Sequence, residues 1–290
     1  MVTTQCHWVR HLTRAFCPAI VFLLSFGQVV FATDPEALRV ETDVFADRDD
    51  VPIAHSLTLF SSKVAWDFLD TTPAEKKTSD SESDQPKAFN GEIVLHDPTR
   101  ERVLLIDPLR QVKTSIDSIQ LERLRVSLAK WARTSDDKLL CWAGGPHFEN
   151  GMHESDDAIE LVGPRVQYRI ETTDAPSQEI AGQYRQFADT AILLRALVHP
   201  GGIPPFPRMA LNKQLASKAK LPTSVTLEID SRGSLVPSGL SSMMQRHLCS
   251  VHRIHPALRA DDLQRIADAE ACMAIAEEVS LAEYTQAEKK

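Results

Sequence analysis

The sequence lacks the short motifs that identify common catalytic and cofactor sites. None of its serines lies in a Gly-x-Ser-x-Gly sequence, which presents the nucleophile of many hydrolases on a sharp turn. Its 11 glycines also form no phosphate-binding loop, because Gly144-Gly145 is followed by Pro146 and Gly201-Gly202 by Ile203-Pro204. The motifs therefore predict no bound cofactor.

Basic residues are fewer than acidic ones. The 290 residues include 32 Lys and Arg against 40 Asp and Glu, which gives a net charge of -8. This balance disfavours a general nucleic-acid binder, which needs a concentrated basic surface, and it disfavours docking on anionic lipid by charge alone. Since 43% of the residues are hydrophobic, the composition also excludes a collagen-like, coiled-coil or wholly disordered protein.

Acidic residues are absent from the first 32 positions. There Arg10 and Arg14 precede the apolar run Ala15–Phe26, and Ala32 ends a segment suited to cleavage before Thr33. The run is shorter than the roughly 20 residues that a membrane-spanning helix needs. Residues 1–32 are therefore predicted to be a cleaved signal peptide. The mature chain is predicted to be soluble and periplasmic or otherwise exported, with no membrane span.

Cysteine is scarce in the predicted mature chain, which retains Cys141, Cys249 and Cys272. An exported location permits a disulfide, but an odd count leaves at least one thiol free. Two arrangements stay open from the sequence. Either Cys249 pairs with Cys272, or all three are buried free thiols.

Strand patterns come in pairs. The first strand alternates apolar and polar residues from Leu38 to Val44, and the runs His55–Phe60 and Val64–Phe68 predict a hairpin. Residues from about 71 to 88 are rich in Ser, Asp, Glu and Lys and predict a disordered insertion within a single domain, 33–290. The segment Arg165–Thr172 predicts a later strand with one wet face.

Helical patterns are grouped between the strands. Asp117 and Gln120 form a capping-box pattern ahead of one helix, a second helix follows Ser177, and Asp261 with Gln264 predicts the cap of a terminal helix. Hairpins with grouped helices favour an antiparallel sheet over a doubly wound parallel one. The predicted fold class is α+β.

One polar segment is a candidate metal or catalytic site. Between His147 and Asp156 the chain carries two histidines and several carboxylates. Zinc needs three or four converging ligands, and this segment lacks the second histidine at the spacing of a helical metalloprotease motif. A solvated polar loop is the favoured interpretation, and no metal is predicted.

The front of the chain resembles the periplasmic lipoprotein carrier family. The resemblance lies in Leu57-Thr58-Leu59-Phe60 followed by Val64-Ala65-Trp66, and in Ile93–Asp97 followed by Val103–Pro108 with its Asp-Pro exit. It implies a curved, half-barrel-like antiparallel sheet with helices covering one face and accepting acyl chains. The chain as a whole is more similar to exported bacterial proteins of no assigned function than to a true carrier.

The first hypothesis is a non-enzymatic exported protein that binds an apolar ligand, a lipid or acyl chain, or else an envelope partner. The aromatic and aliphatic residues predicted to line its ligand site are Trp66, Phe68, Leu95, Leu105, Tyr184 and Phe187. The alternative is an exported hydrolase whose site is assembled from His147, His153 and Asp156. The sequence leaves the oligomeric state open.

Overall fold

In the part of the chain that the structure describes, twelve β-strands form one open sheet. The computed structural model describes residues 37–47, 49–70, 89, 91–198, 202–230 and 247–286. The strands are β1 (Leu38–Ala46), β2 (Ala54–Ser61), β3 (Val64–Asp70), β4 (Glu92–Asp97), β5 (Arg102–Asp107), β6 (Val112–Asp117), β7 (Met152–Glu154), β8 (Ala158–Gly163), β9 (Val166–Asp174), β10 (Lys220–Ile229), β11 (His247–His255) and β12 (Glu277–Glu278). The helices are α1 (Ser118–Arg133), α2 (Lys138–Ala143), α3 (Gln178–Val198), α4 (Phe206–Ser217), α5 (Ala260–Ile275) and α6 (Leu281–Gln286).

The sheet consists of two meanders joined at its centre. Its strand order is β12-β6-β5-β4-β3-β2-β1-β11-β10-β9-β8-β7, so the first and last long strands, β1 and β11, lie side by side in the middle. Every pair is antiparallel except β12 with β6. The elements all belong to the unit Thr33–Lys290. The predicted α+β class with an antiparallel sheet is confirmed.

The predicted hairpin is present, and a second one follows it along the chain. In the first, β2 pairs with β3 across a tight turn at Ser62 and Lys63, which both have positive φ. In the second, β4 pairs with β5. The predicted signal peptide at 1–32 and the predicted insertion at about 71–88 lie outside the described residues, so both stay predictions.

The two faces of the sheet are covered by different helices. One side, here called the α3 face, carries side chains that pack against α3 and α4, among them Val40, Phe60 and Ile170. The other side, the α5 face, carries Leu59 and the residues that pack against α5. Helices therefore cover the α3 face as predicted, and α5 adds a cover on part of the opposite face.

The helix caps agree with the sequence at α1 and differ at α5. Asp117 accepts from the backbone of Gln120, and the Gln120 side chain accepts from the Asp117 backbone, which is the predicted capping box. The predicted cap at Asp261 is wrong. Helix α5 begins earlier, and its N-terminal carboxylate contact runs from the Arg259 N–H to Asp262.

Two large apolar side chains of the helices face solvent. Trp131 on α1 and Leu263 on α5 are each 52% exposed. Each of these helices buries only a narrow stripe, which includes Leu121 and Ala132 on α1 and Ala269 on α5. Among the described residues, no helix is both long and apolar enough to cross a bilayer.

Helix α2 leaves no room for a side chain at Gly163 on β8. A Cβ built on Gly163 would lie 2.5 Å from two ring carbons of Trp142. Gly163→Ala is therefore expected to displace the indole and lower the free energy of unfolding by about 1–3 kcal/mol.

A matched substitution should have the opposite sign. Gly182 lies inside α3, and nothing occupies the space within 4 Å of its Cβ position. Gly182→Ala should raise stability by about 0.5–1 kcal/mol, since alanine is the better helix former. Urea unfolding of both variants is the measurement, and equal effects would contradict the steric explanation.

Candidate functional site

The middle of the α3 face is incompletely covered. Here β1, β10 and β11 carry the half-buried side chains Val44, Leu227 and Leu248, whose cross-strand pairing places them on the side of the sheet that carries Val40. We call Val44, Leu227 and Leu248, together with Thr42, Ser250 and His252, the central strip. Elsewhere on the same face Leu38, Val40 and Ile170 are buried. A partly open strip in the middle of a twelve-stranded sheet is a candidate entry for a ligand.

A guanidinium group lies beside the central strip. Arg208 belongs to the first turn of α4, and although the residue as a whole is partly enclosed, its Nη1 atom is buried. Within the described part of the chain, Nη1 has no hydrogen-bond partner. Burial lowers the pKa of Arg208, while the nearby Tyr184, Tyr168 and Asp189 act in the opposite direction. The site therefore contains a buried positive charge without a direct counter-ion.

Two tyrosines flank Arg208 from different elements. Tyr168 projects from β9 and Tyr184 from α3, and both are buried. Burial raises the pKa of each phenol to about 12, despite the opposing charge of Arg208. Both hydroxyls therefore stay protonated at neutral pH and keep a proton to donate.

A carboxylate–amide pair lies on the other side of Arg208. The Asn212 amide on α4 donates to Asp189 on α3 over 2.8 Å, and the Arg185 guanidinium lies 3.5 Å from the same carboxylate. Burial raises the pKa of Asp189, and the bonds from Asn212 and Arg185 only partly oppose that effect. The Asp189 carboxylate is thus already occupied by Asn212 and Arg185.

A histidine of the central strip lies close to this cluster. On β11 the two His252 ring nitrogens lie 3.0 Å from the hydroxyls of Thr42 and Ser250. Burial, with a smaller contribution from the charge of Arg208, lowers the pKa of His252 to about 3. The imidazole is therefore neutral at physiological pH and acts as a hydrogen-bonding group.

Aromatic rings close the α3 face next to the polar cluster. The Phe60 ring on β2 packs against Tyr184 at 6.1 Å and edge-on against Phe187 at 5.6 Å between centroids. His96 on β4 lies near Phe187, and burial lowers its pKa to about 4. These rings separate the polar cluster from the aliphatic core beneath α1 and α6.

The six predicted ligand-site residues do not form one surface. Trp66, Phe68 and Leu95 lie on the α5 face. On the α3 face, Leu105 lies among the aliphatic side chains under α1 and α6, and Tyr184 and Phe187 pack with Val40 and Phe60. Adjacent residues of a strand point to opposite faces of the sheet. The apolar character that these six residues share therefore does not place them on one face. Their role in ligand binding stays a prediction.

The residues of the hydrolase alternative are solvent-exposed. His147, His153 and Asp156 all belong to the exposed class, and no hydrogen bond among them is present in the described residues. No group of three or more potential metal-ligating side chains occurs there either. The alternative gains no supporting observation from the structure. Of the cysteines that the structure describes, Cys249 and Cys272 are unpaired and partly buried, and Cys141 is a free thiol that is exposed rather than buried.

Sequence reasoning did not find Arg208, His252 or Asp67. Asp67 lies between Trp66 and Phe68 in the sequence, but its side chain is buried on the opposite, α3 face, where Asp67 pairs with Thr58. It accepts a bond from the Thr58 hydroxyl over 2.7 Å. The available signals were an acidic residue inside an apolar strand and an arginine directly after the Pro204–Pro207 turn.

Comparisons with known proteins identify no relative by sequence. No family model matches the chain, and no curated protein matches it. Among solved structures the chain is similar to a crystal structure of a LolA superfamily protein from Nitrosomonas europaea, with 8% identity and a TM-score of 0.25 over 79% of this chain and 90% of that one. Because these values are low, function has to be argued from the chain's own residues.

Proposed function

We propose that the chain is a non-enzymatic binding protein that holds an apolar, acyl-type ligand on the α3 face at the central strip. The observation that carries the proposal is the half-buried aliphatic surface in the middle of an otherwise covered sheet face. Fully burying a large aliphatic side chain contributes about 1.5–3 kcal/mol, and a half-buried one has gained only part of that free energy. A ligand chain lying on Leu227 and Leu248 would supply the remaining part.

The surroundings support a binding role. Ligand sites combine an apolar lining with a few placed polar groups. Here Leu227 and Leu248 share the central strip with the hydroxyl-bonded His252, and Leu227 pairs across the strands with Tyr168. The depressed pKa of His252 keeps charge off this part of the strip at neutral pH.

The experiment uses a neutral fluorescent probe, N-phenyl-1-naphthylamine, titrated into the purified chain. Wild type is expected to enhance its emission with a saturable curve. Leu248→Glu should weaken probe affinity about tenfold or more, because a charge then occupies the apolar surface. Competition by oleyl alcohol should displace the probe.

The matched control lies on the same strand. Val251 on β11 faces the opposite side of the sheet and is 37% exposed. Val251→Glu introduces the same charge without touching the central strip, so its probe affinity should equal that of wild type. Wild type that gives no saturable signal would refute the proposed function.

We further propose export to the periplasm through cleavage after Ala32. This proposal rests on the basic and apolar pattern of residues 1–32. Expression of the full chain in a bacterium, followed by intact mass measurement of the extracted protein, tests it. A periplasmic species beginning at Thr33 is the expected result, and a full-length cytoplasmic species would contradict it.

A further inference from the structure

We propose that the ligand is an anionic amphiphile, an acyl chain ending in a carboxylate, and that Arg208 binds this head group at the edge of the central strip. The inference rests on the proposed function and specifies the ligand class. The structural basis is the buried guanidinium nitrogen of Arg208 next to a half-buried aliphatic surface.

An unpaired buried charge is costly in a folded protein. The Nη1 atom of Arg208 is enclosed, and no described residue accepts a hydrogen bond from it. Burying a charged group without a partner costs several kcal/mol, so such groups are normally paired or neutralised. Arginine does not lose its proton in proteins. An anionic ligand would compensate the charge at Nη1.

The nearest carboxylate does not supply that compensation. Asp189 interacts electrostatically with Arg208 but forms no ion pair with it, and its oxygens are engaged by Asn212 and Arg185. Its pKa is raised, chiefly by burial, which weakens it further as a counter-ion. Arg208 therefore keeps an unmatched charge.

The start of α4 reinforces the positive potential. The N-cap residue is Pro205, whose side chain caps no amide, so the first-turn N–H groups lack a side-chain acceptor. Helix side chains lean toward the N-terminus, which brings the Arg208 side chain toward this end. The helix dipole places partial positive charge there, and an anion is stabilised by both effects.

The chemistry of the surroundings favours a carboxylate over a phosphate dianion. One guanidinium matches one carboxylate in a two-pronged geometry, and the protonated hydroxyls of Tyr168 and Tyr184 are further donors near it. The second negative charge of a phosphate dianion would be repelled by the nearby Asp189 carboxylate. In the sheet register Tyr168 pairs with Leu227, which pairs with Leu248, so a chain leaving the head group meets the central strip.

The experiment compares oleate, oleyl alcohol and oleyl phosphate as competitors of the neutral probe at pH 8. Wild type should bind oleate about tenfold or more tightly than oleyl alcohol, as expected for a hydrogen-bonded charge pair. Arg208→Gln should remove this preference while oleyl alcohol affinity stays the same. Arg208→Lys keeps the charge but loses the two-pronged guanidinium geometry, so it should retain part of the preference for oleate.

The control is Lys213→Gln, which removes an exposed positive charge from the same helix. It should keep the wild-type preference. Equal binding of oleate and oleyl alcohol to wild type would overturn the anionic-ligand inference and leave the proposed function intact. A preference that survives in Arg208→Gln, or a tenfold preference for oleyl phosphate over oleate, would also overturn it. Failure of all three competitors to displace the probe counts against the proposed function itself.

Discussion

Asp67→Asn is expected to raise the free energy of unfolding by about 2–4 kcal/mol at pH 8.5 and to leave it nearly unchanged at pH 4. The magnitude follows from a pKa shift of about three units, each of which corresponds to about 1.4 kcal/mol. The cause is burial, which raises the pKa of Asp67 to about 7, although the Thr58 hydroxyl stabilises the charged form. Asparagine resembles the protonated acid in shape and hydrogen bonding. It should therefore match wild type only where Asp67 is protonated.

The sign follows from proton binding. Between about pH 4 and pH 7 the folded chain holds a proton on Asp67 that the unfolded chain has released. The free energy of unfolding therefore falls as pH rises through this window. The stabilising contribution of Asp67 is fully present only below its pKa in the unfolded chain. The negative charge of Glu92 acts in the same direction as burial.

Two histidines produce the opposite dependence in an overlapping window. The pKa of His96 is lowered to about 4 and that of His252 to about 3, in both cases mainly by burial. The unfolded chain binds protons at these positions below about pH 6.5, so stability falls as pH falls. In wild type the Asp67 effect offsets part of this loss. Asp67→Asn should therefore steepen the loss of stability on acidification.

The measurement is urea unfolding at half-unit steps from pH 4 to pH 8.5 for wild type and Asp67→Asn. Asp156→Asn is the matched control, because Asp156 is exposed. It should change stability by less than about 0.5 kcal/mol at every pH. A stability difference between wild type and Asp67→Asn that is constant across the pH range would contradict a raised pKa at Asp67.

The sequence predicted the strands well where one face is wet. Val166, Tyr168 and Ile170 alternate with polar residues, and the structure buries all three on the α3 face. Alternation is a local property of a strand, so one sequence reveals it. By contrast, the run Val103–Ile106 is continuously apolar, which is typical of burial on both faces. The sequence analysis predicted helices over one face only, whereas α5 covers one face of β5 and α6 the other.

The candidate site could not be predicted in the same way. Tyr168, Asp189, Arg208 and His252 come from four separate elements, and each is an ordinary polar residue in its own segment. Their proximity depends on how α3 and α4 cross the sheet, and no local periodicity reports that crossing. The same reason explains why Trp66 and Phe68 were assigned to one surface with Tyr184. A strand pattern groups residues by face but does not say which helix covers that face.

Asp262→Asn is expected to lower the free energy of unfolding by about 3 kcal/mol, because it breaks a buried ion pair and leaves the charge of Arg39 partly uncompensated. Arg39 on β1 donates from Nε to the Asp262 carboxylate at the start of α5 over 3.2 Å, and both side chains are buried. The pair joins α5 to the central strands. Asparagine can still accept from the Arg259 N–H, so the helix cap is retained and the loss reports the charge pair.

Arg39 also belongs to a longer chain of charges across the α5 face. Its Nη1 lies 2.5 Å from Glu41, Glu41 accepts from Arg253, and Arg253 reaches Asp43 over 2.8 Å. Hydrogen bonding from Arg253 contributes most to lowering the pKa of Glu41 to about 2. Because Arg39 keeps Glu41 as a partner in Asp262→Asn, the expected loss lies at the lower end of the range of about 3–5 kcal/mol for a broken buried pair.

A double-mutant cycle with Arg39→Met separates the pair from its surroundings. Because each single variant leaves one buried charge without its partner, the double variant Arg39→Met with Asp262→Asn should lose less stability than the sum of the two. The matched control is Glu160→Gln, which breaks the exposed pair of Glu160 with Arg169 on the same face. Exposed pairs contribute about 0–1 kcal/mol, so that loss should be small. If urea unfolding gave Asp262→Asn no larger a loss than Glu160→Gln, the buried pair would not be what anchors α5 to β1.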